Sequence, residues 1–369
     1  MQKKGPPLRT APQTPKRPYP LLAAAAIALL AAIWAGLNRS GWTALPVWDH
    51  HPLAHGPLMI CGFLGTLISL EKALAVERWW AFSAPALAAL GGLLLVVQPH
   101  PRPGAWLFVA ASALLVAVLI SLLRRHIDLA GAVMLVGAVA WLAGNLLWLK
   151  GRSIPLTVPW WMAFPILVIV GERLELSRVV SPPRSALALF FGSLSLYLLG
   201  LGLFLQTPDG GLRLQGVGML LVAGWLLSYD LARRTVRMPG RHRYTALCLL
   251  TGYFWLAVTG MVCLVWGVNL GGLRYDALLH ALLLGFVFGM IFGHAPIIAP
   301  MILRRNLNWG RHFYVPLVLL QVSLLVRVVG DLGAWYALRS WAALGNALAI
   351  LLFLGLTARA AITGHRLAQ

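Results

Sequence analysis

Acidic side chains are what this sequence has least of. Only 10 of its 369 residues are Asp or Glu, against 30 Lys and Arg, and charged residues of both signs make up 11% of the chain. Soluble domains carry charge on about a quarter of their residues, so a soluble globular fold of this length is excluded. Cysteine is scarce too. Cys61, Cys248 and Cys263 sit inside apolar stretches with no common spacing, which leaves neither a disulfide framework nor a thiolate metal site and makes them core fillers. No acid at all occurs in the first 19 residues, MQKKGPPLRTAPQTPKRPY. This Pro-rich basic segment, 1–19, reads as a disordered cytoplasmic tail, and the apolar run after it as an uncleaved first span.

Apolar residues take the place of the missing charge: 60% of the chain is hydrophobic and the mean hydropathy is +0.80. Runs of about 20 apolar residues, the length that crosses a bilayer, occur at 20–37, 55–75, 80–98, 104–123, 128–149, 156–174, 185–206, 213–232, 244–267, 275–299, 313–334 and 340–361. The expected fold is all-α, a polytopic bundle of about 12 transmembrane helices. It forms one domain over 20–361, with a short cytoplasmic C-terminus at 362–369. A net charge of +20 would point to nucleic acid in a soluble chain. Here the basic residues lie in short clusters between spans, so the partner they imply is the lipid bilayer and not nucleic acid. With alternating crossings, 22 Lys and Arg fall on the side of the N-terminal tail and 7 on the other. That asymmetry predicts both termini in the cytoplasm and a multi-pass protein of the bacterial inner membrane. The densest cluster, ARRTVRMPGRHRY at 232–244, falls on the predicted cytoplasmic side.

An ionisable side chain at the bilayer centre costs about 2.5–3.5 kcal/mol or more, so each one implies a partner or a task. His55, His280, His294, Glu71, Arg327 and Asp331 stand out, with Asn145 as an uncharged addition. His55 opens span two and His280 opens span ten. Both spans run the same way, which puts the two imidazoles at one depth near the outer end. That arrangement suits a single haem held by two axial histidines between parallel helices. Arg327 in SLLVRVVGDL lies near the same depth, either as a bidentate partner of a propionate or as a partner of Asp331 one turn later. Gly285, Gly289 and Gly293 repeat every four residues, which admits a neighbouring helix or a flat macrocycle.

His294 follows His280 by 14 residues, an α-helical rise of about 21 Å on nearly the same face. It is a candidate for a second metal site or a proton path, or else a helix-end histidine held by hydrogen bonds. Glu71 faces away from His55 near the inner surface, and GERLELSR at 171–178 reads as a local ion-pair network. His50 and His51 read as a solvated pair beside the pocket, able to cap it or bind a metal. Trp42, Trp48, Trp148, Trp160, Trp161 and Trp335 fit an interfacial aromatic belt. Spans two and ten share His, then Leu three residues on, then Phe eight on, a coincidence too short to establish an internal repeat.

With twelve spans and the segments AHGPLMICGFLGTLI at 54–68 and ALLHALLLGFVFGMIFGH at 277–294, the chain resembles the haem–copper oxidase subunit I superfamily. More closely it resembles the NnrS family, membrane haem proteins linked to nitric oxide metabolism. The resemblance implies an oxidase-like helical bundle, a b-type haem, His55 and His280 as its iron ligands, and Arg327 at a propionate by position. It also implies nitric oxide or an electron donor as partner, and haem redox chemistry if the protein is an enzyme. Oxidases of that superfamily also carry histidines in spans six and seven and a second one in span ten. VPWWMAFPILVIVGERL and SALALFFGSLSLYLLGLGLF contain none, so copper has no support and a dinuclear oxygen-reducing centre is not expected. The expected function is a haem protein of the nitric oxide or redox-stress response. The rivals are a secondary transporter using Arg327, Asn145 and span ten, and an assembly factor for a respiratory complex.

Overall fold

A computed structural model describes residues 18–43, 51–98, 100–303 and 305–364. Its described elements are all helical, and twelve helices are long and apolar enough to cross a membrane. They are α1 (Tyr19–Arg39), α2 (Leu53–Val76), α3 (Trp79–Val97), α4 (Arg102–Arg125), α5 (Leu129–Leu149), α6 (Ile154–Val180), α7 (Arg184–Leu203), α8 (Pro208–Tyr229), α9 (Arg241–Trp266), α10 (Gly272–Pro300), α11 (Arg311–Leu332) and α12 (Tyr336–Thr363). These are the twelve spans read from hydropathy, shifted by a few residues at their ends. The tail expected at 1–19 lies almost wholly outside the described residues, as do Trp48, His50 and the last five positions.

Local chemistry sets the helix boundaries. Proline occupies the first turn of α1, α4, α6 and α8, where its missing N–H has no intrahelical partner to lose. Asp128 caps α5, its carboxylate accepting from the Gly131 N–H at 2.7 Å, one of the donors that a helix start leaves open. Gly267 closes α9 at φ +60°, a left-handed conformation that glycine adopts without a steric cost. Between helices, glycine permits close approach. A Cβ on Gly62 of α2 would lie 3.2 Å from the Gly92 Cα of α3, and one on Gly216 of α8 would lie 2.6 Å from the Gly260 carbonyl oxygen of α9.

The neighbour relations recur every four helices. α1 packs on α2, α5 on α6 and α9 on α10; α3 packs on α4, α7 on α8 and α11 on α12; α4 packs on α5, α8 on α9 and α12 on α1. The second helix of each group is also the most enclosed: 67%, 78% and 67% of the apolar windows of α2, α6 and α10 are buried, against at most 56% elsewhere. The twelve helices therefore form a ring of three four-helix units, each sending its second helix inward. α2 and α10, which carry the candidate histidines, are two of those inner helices.

Neither is a plain α-helix. Leu58–Leu64 in α2 and Ala281–Phe288 in α10 are π-helical, a widened turn that occurs frequently at functional sites. The π segment in α10 changes the rotation per residue after His280. The shared face inferred for His280 and His294 from α-helical geometry therefore does not carry over.

Candidate functional site

α2 and α10 run parallel and in register. The His55 and His280 rings face each other with centroids 6.1 Å apart and planes 23° from parallel, and eight residues further on Phe63 and Phe288 face each other at 5.8 Å and 22°. The spacing His, Leu at three, Phe at eight, shared by both spans, is thus a matched pair of helix surfaces.

Each imidazole is oriented through the same nitrogen. His55 Nδ1 lies 2.7 Å from the Ala32 carbonyl oxygen of α1, and His280 Nδ1 lies 2.8 Å from the Asp276 carbonyl oxygen one turn back in α10. A carbonyl accepts only, so Nδ1 carries the proton in both rings and Nε2 keeps its lone pair. Among the described residues neither Nε2 has a hydrogen-bond partner. The Ala32 carbonyl is reachable because the residue one turn later is Gly36: a Cβ there would stand 2.8 Å from His55 Cε1.

The cleft between the two rings is lined by α1, α2, α10, α11 and α12, with Gly36, Met59, Phe288, Arg327 and Asn346 among its walls. It holds about 590 Å³ of empty space, open surroundings included, of which about 60 Å³ is wide enough for a water molecule. Such a space is a thin slot. Arg327 reaches it from α11, with its Nε and Nη2 donating to Asp276 Oδ2 at 3.2 and 2.9 Å. Asp276 Oδ2 also meets Arg339 Nη2 at 3.3 Å and His280 Nδ1 at 3.4 Å. Asp331, the other partner considered for Arg327, is taken by Arg339 Nε at 2.8 Å. Two carboxylates and two guanidinium groups therefore interlock behind His280. The Arg327 Nη1 donors meet no acceptor among the described residues.

Asp276 is the residue that sequence reasoning missed. Its signal was the four-residue spacing to His280, hidden because a charge at the end of a span attracts no notice. Asn346 was missed as well. It is 2% exposed on the cleft wall, with Nδ2 donating to Ser323 Oγ at 2.7 Å and Oδ1 unpartnered.

His294 is not brought to the cleft. Its Nδ1 lies 2.8 Å from the Met290 carbonyl oxygen and its Nε2 3.3 Å from Arg173 Nη1, so both ring nitrogens are engaged. Arg173 holds Asp230 through Nε at 2.9 Å and Nη2 at 3.3 Å, a buried bidentate pair. Next to it Lys72, 7% exposed, bridges Glu71 and Glu172 at 2.9 and 2.5 Å. Within GERLELSR, Glu172, Arg173 and Arg178 thus meet Lys72, Asp230 and Asp128 from elsewhere in the chain and not each other. Helix packing also accounts for the glycine stripe of α10. Gly285 accommodates Trp255, and Gly289 and Gly293 abut Cys248 and Thr245, all on α9.

Asn145 is fully buried and satisfied, receiving Trp161 Nε1 at 2.9 Å and the Cys61 thiol at 3.3 Å while donating to the Phe108 carbonyl oxygen and Ser112 Oγ. Trp161 is accordingly a core residue and not part of an interfacial belt, whereas Trp335 is 60% exposed.

Among the described residues, no three His, Cys, Asp or Glu side chains converge to hold a metal ion. Two protein ligands suffice where the metal brings its other ligands with it, as haem iron does. One distance matches that case. Metal–imidazole bonds of about 2 Å from two histidines to one metal would place ring centroids about 6 Å apart, the separation seen between His55 and His280.

The family model described as Domain of unknown function (DUF8744) matches residues 18–362. The chain belongs to that family. Its description assigns no activity, so membership fixes the extent of the domain, all twelve helices, without choosing a chemistry for the cleft. No curated protein and no solved structure matches the chain.

Proposed function

We propose that this protein binds one haem, b-type by its resemblance to the NnrS family, in the slot between α2 and α10, with His55 and His280 as the two axial ligands. The observation that carries this reading is the facing pair of imidazoles, each with Nδ1 fixed to a backbone carbonyl and Nε2 left unpaired at 6.1 Å ring separation. Such outer hydrogen bonds fix the tautomer and ring direction of ligating histidines. Haem held there by His55 and His280 would supply one-electron redox chemistry and a site for a small diatomic molecule.

The residues around the slot each have a task in this reading. Gly36 gives the His55 ring room to reach Ala32. Asp276 orients His280 from behind and holds Arg327, whose remaining N–H donors are available to a carboxylate at the edge of the slot. The lining of the slot is mostly apolar, with Ile33, Met59, Leu284 and Phe288 among its walls, which favours a flat apolar ring. The link to nitric oxide or the redox-stress response rests on the family resemblance, and the positive-inside asymmetry supports a slot toward the outer face of the inner membrane.

Reduced-minus-oxidised spectra of the protein purified in mild detergent test the reading. The expected result is a Soret difference in the wild type that is lost in both His55→Ala and His280→Ala while each variant still inserts. Haem retained undiminished in both variants would overturn the ligand assignment. A shift of the reduced spectrum on adding nitric oxide supports the diatomic role, and an unchanged spectrum removes it. A transporter or assembly factor without haem would show no Soret band at all.

A further inference from the structure

The end of the molecule away from the histidine cleft holds a second cavity. It is lined by Val180 at the end of α6, Ser228 and Asp230 at the end of α8, and Arg233, Arg234 and Arg237 on and just after the short helix Ala232–Thr235. It is a broad basin, with about 350 Å³ wide enough for water. The rim carries three guanidinium groups, and among the described residues none of the three forms an ion pair. Arg233 Nη1 donates to the Ser228 carbonyl oxygen at 2.7 Å, while among the described residues the side chains of Arg234 and Arg237 make no hydrogen bond.

The acid on the floor does not cancel this charge. Both oxygens of Asp230, 1% exposed, are committed to Arg173, and Oδ1 also accepts from the Ala232 N–H at 2.7 Å. The buried pair is neutral, so the basin keeps the charge of its three arginines. Arginine recognises phosphate oxygens through paired N–H donors. Val179 at 68%, Met238 at 47% and Leu176 at 42% exposure flank the basin residues in sequence, so apolar surface accompanies the charge where the spans end.

We infer that this basin binds the phosphate headgroup of an anionic phospholipid, the arginines holding the phosphate while Val179 and Met238 meet its acyl chains. This inference is independent of the haem reading, since the basin shares no residue with the histidine cleft. The floor pair Arg173–Asp230 does touch His294 of α10, so an occupant would brace the inner end of that helix.

The test uses the full chain purified in an uncharged detergent, where no lipid surface attracts distant charges, with bound lipid counted by native mass spectrometry. Phosphatidylglycerol or cardiolipin is titrated against phosphatidylcholine. The expected result is one retained anionic lipid in preference to phosphatidylcholine. Arg234→Gln with Arg237→Gln, which removes no hydrogen bond within the described residues, is expected to weaken binding by about tenfold for each arginine removed, the low end of what a hydrogen bond to a charged group contributes. The charge-matched control Arg184→Gln with Arg243→Gln, both exposed and outside the basin, is expected to bind as the wild type does. Equal losses in the two pairs, or no preference over phosphatidylcholine, would overturn the inference. A third arm adds inorganic phosphate alone. If phosphate raises the thermal midpoint of the wild type but not of the basin variant, and no lipid is retained, the anion comes from solution and the lipid assignment fails.

Discussion

At Gly36 the missing side chain leaves the Ala32 carbonyl open to the His55 ring, and the ring fills the space a Cβ would take. Gly36→Ala should therefore tilt or displace His55 without removing it. The expected outcome is a Soret difference reduced by more than half at normal membrane abundance, and a wild-type spectrum would show that the ring does not depend on that contact. Behind His280, the side chains of Arg327 and Asp276 are 8% and 17% exposed, so each relies on the other for charge balance. Stranding one member of a buried pair costs about 3–5 kcal/mol, whereas replacing both by apolar groups is often close to neutral. Asp276→Ala should lower the thermal midpoint in detergent sharply, and Asp276→Leu combined with Arg327→Met should recover most of it. Equal midpoints for the two variants would contradict this account. His55, His280 and Arg327 were legible in sequence because imidazole and guanidinium are conspicuous in apolar runs. Which carboxylate Arg327 meets was not legible: Asp331 is its neighbour on α11, yet Arg339 takes Asp331 from across the turn and Asp276 arrives from another helix.

Among the helices, α10 carries the most constraints: a π segment, a histidine face toward α2 and a glycine face toward α9. A Cβ on Gly285 would lie 2.2 Å from Trp255 Cγ, and that indole is tied to Gln321 Oε1 at 2.7 Å, so it has little freedom to yield. Overpacking of this kind costs about 1–3 kcal/mol. Gly355 in α12 has nothing within 4 Å of its Cβ position, and alanine in an open helix position gains up to about 1 kcal/mol over glycine. Gly285→Ala should thus lower the thermal midpoint while Gly355→Ala holds or raises it, measured side by side in one detergent. The reverse order would remove the contact between α9 and α10 as the reason for the glycine. The sequence allowed either a helix or a macrocycle against this stripe, because spacing shows that a face is small without showing what fills it. The π segments left no sequence signal of their own. The matched surfaces of α2 and α10 left only a shared spacing, which reads as chance until the two helices are seen in register.

For the molecule as a whole, hydropathy located all twelve spans, since the length and apolarity of a membrane helix are local properties. The three-unit ring was not legible, because it is a relation between helices whose sequences share no motif beyond the two histidine spans. The ring separates the two sites. The histidine cleft lies at the starts of α2 and α10, while the arginine basin lies where α6 and α8 end, so alternation of the spans puts them on opposite faces. If the side richer in Lys and Arg is the cytoplasmic one, as proposed, the cleft faces outward and the basin inward. Single cysteines test this directly, since Cys61, Cys248 and Cys263 are all buried and give little background. Ser153→Cys, exposed between α5 and α6, should react with a membrane-impermeant maleimide in intact cells, whereas Arg237→Cys, exposed between α8 and α9, should react only after the membrane is opened. The opposite pattern would invert the protein, turning the histidine cleft toward the cytoplasm and the arginine basin away from it. Labelling of both positions in intact cells would mean that one of the spans from α6 to α8 does not cross.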